Sequence, residues 1–138
     1  MKAYISHTAK DKAIADALVS ELNSRNIGTV PHVRILPESS GEKQARSPLS
    51  KADVIVAILS KHSFSSQWVR MEIDEALFNE KFKNSFLPVL LYENSEDLSL
   101  LPWVLQKIQH LRLSAKRSPT FLAKKIADRL QTLKSGGQ

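Results

Sequence analysis

Six consecutive apolar residues, Val54-Ile55-Val56-Ala57-Ile58-Leu59, stand between Asp53 and Ser60, and they constrain the fold more than any other feature. A strand with one face in water alternates apolar and polar residues. An unbroken run this short is instead a strand buried on both faces, which is the situation of a parallel sheet covered by helices. It is far below the roughly 20 residues that a membrane-spanning helix needs. Residues 86–91 repeat the pattern, so at least two central strands are expected.

The remaining elements fall around these two. Residues 3–6 read as a short apolar strand opening onto Thr8-Ala9-Lys10-Asp11, a start resembling a capping box. Ile14, Leu18 and Leu22, with Ala15 and Val19 beside them, then repeat at helical spacing until Asn26 and Gly28. Residues 30–36 lie among β-branched positions with Pro31 and Pro37 close by, which predicts an edge strand because proline donates nothing to a ladder. A polar loop over 37–43 and a short helix over 44–50, weakened by Pro48, are expected next. Ser65 or Ser66 caps a helix over 67–82 whose inward stripe is Val69, Ile73, Ala76 and Leu77. Residues 98–108, interrupted by Pro102, are helical or irregular, and 110–113 form a short fifth strand. Ser118-Pro119 starts a last helix with Leu122, Ile126, Leu130 and Leu133 on one side. Residues 1–134 are thus one domain, and 135–138 read as a linker-like tail.

Alternation of this kind predicts an α/β fold, a five-stranded parallel sheet in the flavodoxin-like order 2-1-3-4-5 with helices on both faces. In that order the chain reverses direction across the sheet between the first and third strands. A ligand crevice should open there, outside their carboxyl ends, flanked by residues 6–10 and 60–68.

Composition removes several chemistries from that crevice. The chain has no cysteine, which excludes disulfides, thiolate metal sites and cysteine nucleophiles and suggests a cytoplasmic home. Its four glycines do not spell a P-loop or a dinucleotide-fold fingerprint. His7, His32, His62 and His110 show no ligand-like spacing, so no metal is expected. No glycine-flanked serine elbow is present. A phosphoacceptor receiver domain shares the strand order, but it needs an acidic pair where this chain has Ser6-His7 and an aspartate where it has Leu59-Ser60. The net charge of +6 arises after residue 111, where Arg112, Lys116, Arg117, Lys124, Lys125, Arg129 and Lys134 face only Asp128. Phe121 is the single aromatic residue of that segment, too little to form a base-stacking platform, so a solvated helix face is expected rather than a nucleic-acid site. Neither a membrane span nor a signal peptide is read.

What remains near the crevice is Trp68 and Glu72, spaced i to i+4 and therefore on one face of the helix that follows the third strand. At this point a resemblance enters. Ala3-Tyr4-Ile5-Ser6-His7 followed by Asp11 is similar to the first box of TIR domains. Ser50-Lys51-Ala52-Asp53 resembles the family's entry to its third strand, and Ser66-Gln67-Trp68-Val69-Arg70-Met71-Glu72 its Ser-x-Trp-x-x-x-Glu segment. Phe86-Leu87-Pro88-Val89-Leu90-Leu91, Leu101-Pro102 and Gln109-His110-Leu111 resemble its later half, particularly in bacterial members.

The resemblance implies a flavodoxin-like fold and an NAD+ glycohydrolase or cyclase, with NAD+ as substrate and no cofactor. Glu72 matches the family's essential glutamate. Ser6, His7, Thr8 and Trp68 would line the substrate pocket. In the second loop Gly41 matches the family's glycine, and Glu38 stands in for an acidic residue that is not clearly placed. Activation by self-association with other TIR domains, and a fused or partner sensor domain in a bacterial immune system, are implied as well. A non-catalytic adaptor acting through TIR–TIR contacts is the alternative.

Overall fold

The computed structural model describes residues 1–30 and 51–136, with side chains up to residue 133. The expected strand beyond residue 30, the loop over 37–43 and the helix over 44–50 lie outside the described residues. Strand β1 (Lys2–Ser6) leads into a 3₁₀ turn at Ala9–Asp11 and then helix α1 (Lys12–Ser24). Strand β2 (Gly28–Thr29) follows, and beyond residue 50 come β3 (Val54–Leu59) and α2 (Gln67–Phe78). Then come β4 (Phe86–Tyr92), α3 (Trp103–Gln106), β5 (Leu111–Ser114) and α4 (Pro119–Gly136). Helix α4 therefore continues two residues into the segment read as a tail.

The sheet is parallel throughout, in the order β2-β1-β3-β4-β5, as the sequence predicts. All six residues of β3 are buried, because its two faces meet two separate cores. Val54, Val56 and Ile58 pack with Leu18 and Leu22 of α1 and with Leu122, Ile126 and Leu130 of α4. Ile55, Ala57 and Leu59 pack with Val69, Ile73 and Ala76 of α2 and with Leu101 and Leu105. The period-two alternation of a strand thus assigns each residue of the apolar run to one layer or the other. Among the described residues no helix is long and apolar enough to cross a membrane.

Several boundaries differ from expectation for identifiable reasons. Asn26 adopts φ 62°, and the amides of Ile27 and Asn26 bond the carbonyls of Leu22 (2.9 Å) and Asn23 (3.1 Å). This is a Schellman C-cap. It releases the chain directly into β2 at Gly28, two residues before the expected start, and the Val30 amide still bonds the Ala3 carbonyl at 2.9 Å. Helix α2 stops at Phe78 instead of continuing to 82. Asn79 takes an extended conformation (φ −101°, ψ 117°) and its side chain accepts from the Lys81 amide at 2.9 Å, a local bond that competes with helix continuation. Helices α1 and α4 are tied by Arg25, which donates to Asp128 (2.8 Å) and Gln131 (2.7 Å) as well as to Glu21 (2.8 Å). The bonds to Asp128 and Glu21 hold the guanidinium above its ordinary pKa.

Candidate active site

Residue alternation on β1 builds the site. Ala3 and Ile5 point to the α1/α4 layer, so Tyr4 and Ser6 point to the α2 layer. The β1–β3 register sets Tyr4 beside Ile55 and Ser6 beside Ala57. Above them runs α2, whose N-terminus is fixed by Ser66, its hydroxyl accepting from the Val69 amide at 3.3 Å. Ser65 instead bonds the His62 carbonyl, which settles which of the two serines is the cap. Val69, Ile73 and Ala76 form the inward stripe, and this rotation carries Glu72 inward with them.

Glu72 is only 9% exposed. Tyr4 donates its phenol proton to Oε2 at 2.5 Å, and Ser6 donates its hydroxyl proton to Oε1 at 2.6 Å. A carboxylate taken out of water is tolerated only with such partners, and bonds to a charged acceptor are roughly twice as strong as neutral ones. Both oxygens are therefore held from the C-terminal half of β1. Trp68, one turn earlier on α2, is half-buried.

A second buried carboxylate joins the exits of the two strands. Asp11 is 7% exposed, and its Oδ2 accepts from Ser60 (2.8 Å) and from Thr8 (3.2 Å). Thr8 does not cap the following turn through its side chain, so the box-like spacing serves this bridge instead of a helix start. His7 is half-buried, with Nδ1 2.8 Å from the Thr8 carbonyl. Ser63 accepts from the Ser60 amide at 2.8 Å and shapes the turn that follows β3.

The structure thus brings Ser6 and Glu72 into direct contact. It places Thr8 in the neighbouring network, and it sets His7 beside Thr8. Glu38 lies outside the described residues. Two participants stand in the segment that resembles the first box of TIR domains but were not named as site residues from sequence. Tyr4 reads as one more apolar strand residue, although its i, i+2 relation to Ser6 places both on one face. Asp11 reads as a helix-start residue, and only the packing of β1 against β3 shows its link to Ser60.

A cavity of about 580 Å³ lies at the other end of α2, lined by Phe78, Phe82, Lys83, Phe86, Ile108 and Gln109 among others. It sits below the N-terminal end of β4, whereas Glu72 faces the C-terminal half of β1. Among the described residues no group of three or more His, Asp or Glu is placed to hold a metal ion.

Comparison with known families matches residues 4–131 to the TIR domain. The chain belongs to the TIR domain family. The match begins at Tyr4 within β1 and ends within α4, so it includes residues of each described strand and both carboxylate networks. No curated protein matches the chain.

Proposed function

We infer that this TIR domain cleaves NAD+ at the bond between nicotinamide and ribose, with Glu72 as the catalytic carboxylate. The observation that carries the reading is the burial of Glu72 at the carboxyl side of β1, with Tyr4 and Ser6 donating to its two oxygens. A glutamate kept for solubility has no reason to be there.

The chemistry asks little more than one fixed negative charge. The C1′–N bond breaks with its electron pair going to the pyridinium nitrogen, so nicotinamide leaves neutral and needs no general acid. Ordinary glycoside hydrolysis differs in requiring a second carboxyl to protonate the leaving oxygen. Positive charge develops on the ribose ring, and a carboxylate about 4 Å away stabilises it by on the order of 4 kcal/mol at an effective dielectric of 20. That corresponds to roughly a thousandfold in rate. Water then adds at C1′ and releases a proton, giving ADP-ribose; attack from within the molecule gives a cyclic form instead. Trp68 supplies an aromatic wall, and Ser6, His7 and Thr8 line the opposite side.

The test is nicotinamide release from NAD+ by concentrated or artificially clustered protein, wild type against Glu72→Gln. A glutamine is isosteric; one of the Tyr4 and Ser6 hydroxyls still donates to its amide oxygen while the other turns to accept from its amide N–H, so the fold should survive. We expect release by wild type and a fall of about a thousandfold or more in the variant. Wild-type turnover in Glu72→Gln removes that residue from the reaction. No release by a demonstrably assembled wild type supports the adaptor reading instead.

A further inference from the structure

We propose that Tyr4 is a positioning residue, its phenol hydroxyl fixing the orientation of the Glu72 carboxylate for NAD+ cleavage. The proposal rests on the glycohydrolase reading above. Tyr4 is fully buried, 0% exposed, in the layer formed with Ile55, Val69 and Ile73. Packing alone would be served equally by phenylalanine, which carries no hydroxyl to desolvate. The hydroxyl therefore has a use at this depth, and its acceptor is Glu72 Oε2.

The geometry explains why two donors matter. The terminal torsion of a glutamate is broad and roughly two-fold, so one hydrogen bond leaves the carboxylate plane able to swing. Here Ser6 holds Oε1 and Tyr4 holds Oε2, which fixes the plane. The two donors come from alternate residues of one strand, and β1 is paired on both sides. Serine Oγ is a free rotor, whereas the phenol proton stays near the plane of a ring locked in the core. Tyr4 thus transmits the position of the sheet to the reacting carboxylate. Loss of that constraint allows a misplacement of about 1 Å, which can cost on the order of a hundredfold in rate.

Two measurements test this. First, nicotinamide release by the clustered full chain is compared for wild type, Tyr4→Phe and Glu72→Gln, and for the double variant. Tyr4→Phe should lower kcat by roughly ten- to a hundredfold while KM changes less than about twofold. Added to Glu72→Gln it should lower the residual rate no further, because it acts through that residue. An unchanged kcat in Tyr4→Phe, or full additivity in the double variant, overturns the proposal. Second, the chain has two tyrosines, Tyr4 and Tyr92, so fluorotyrosine labelling gives two ¹⁹F signals, assigned with Tyr92→Phe. Glu72→Gln should move the Tyr4 signal and leave that of Tyr92; a static Tyr4 signal also overturns the proposal.

Should Tyr4→Phe fail to fold, a fluorinated tyrosine of lower phenol pKa keeps the ring and hydroxyl. Its kcat should then fall on the alkaline side, where the phenol has lost its proton and wild type retains it. A kcat–pH profile matching wild type counts against the proposal. If wild type releases no nicotinamide, the glycohydrolase reading falls and positioning for that reaction falls with it. If wild type is active and Tyr4→Phe equals it, only the positioning role is lost.

Discussion

Glutamate on an amphipathic helix ordinarily faces water, and Glu72 departs from this because β1 supplies two hydroxyls at the depth where α2 points it. Sequence identified Ser6 and Glu72 individually; their contact depends on strand register and helix rotation together. Asp11 follows the same logic at the neighbouring strand exit. Replacing it with alanine leaves the Ser60 and Thr8 hydroxyls without their acceptor, and should lower the unfolding free energy by about 1–3 kcal/mol. A shift of the urea midpoint at unchanged slope would register that loss. No shift would mean that the two hydroxyls find water and the bridge contributes nothing. Glu72→Gln should leave the same midpoint close to wild type, which separates the catalytic role proposed for Glu72 from a structural one.

At the level of elements, most of the chain was legible because apolar periodicity is a local signal and survives in the sequence. Strands β1, β3, β4 and β5 and helices α1, α2 and α4 all lie where the pattern places them, within a few residues. The ends were less legible, since side-chain bonds of a few local residues decide them. Asn79 stops α2 one turn early, and the Asn26 cap starts β2 early. Asn26 is exposed at φ 62°, a region where glycine has no steric cost. Asn26→Gly should therefore be neutral or stabilise by up to about 1 kcal/mol, whereas Asn26→Val should destabilise by a similar amount or more, both read from thermal melts. Ser66→Ala removes the α2 cap and should cost about 1 kcal/mol. If the domain cleaves NAD+ as proposed, the variant should also lose nicotinamide release more steeply with temperature than wild type, because α2 carries Glu72.

For the whole molecule, the buried run 54–59 acts as the wall between two cores, so its residues answer to different layers. Ile58 is fully buried against the α1/α4 side. Ile58→Ala should cost about 2–5 kcal/mol, a large part of the 5–15 kcal/mol typical of a domain, and calorimetry should show a markedly lowered melting temperature. The basic C-terminal segment resolves into local contacts and solvated charge. Arg117 and Lys125 lie over the Phe121 ring at 4.6 and 5.5 Å, Asp128 is engaged by Arg25, and Lys116 and Lys124 are exposed. If the proposed NAD+ cleavage requires assembly of TIR domains, nicotinamide release per molecule should rise with protein concentration; a flat dependence would indicate a site complete within one chain.

The amino-acid sequence by itself determined the layered α/β class, the strand order and the residues that face inward, because burial on a regular strand or helix repeats with a fixed period that composition makes visible. Only the tertiary structure decided that Tyr4 and Ser6 reach Glu72 and that Thr8 and Ser60 reach Asp11. Tyr4 and Glu72 stand 68 positions apart and Asp11 and Ser60 49 apart. Hydrogen bonds are short-ranged and directional, so such pairs form only once register, helix rotation and sheet packing are all set.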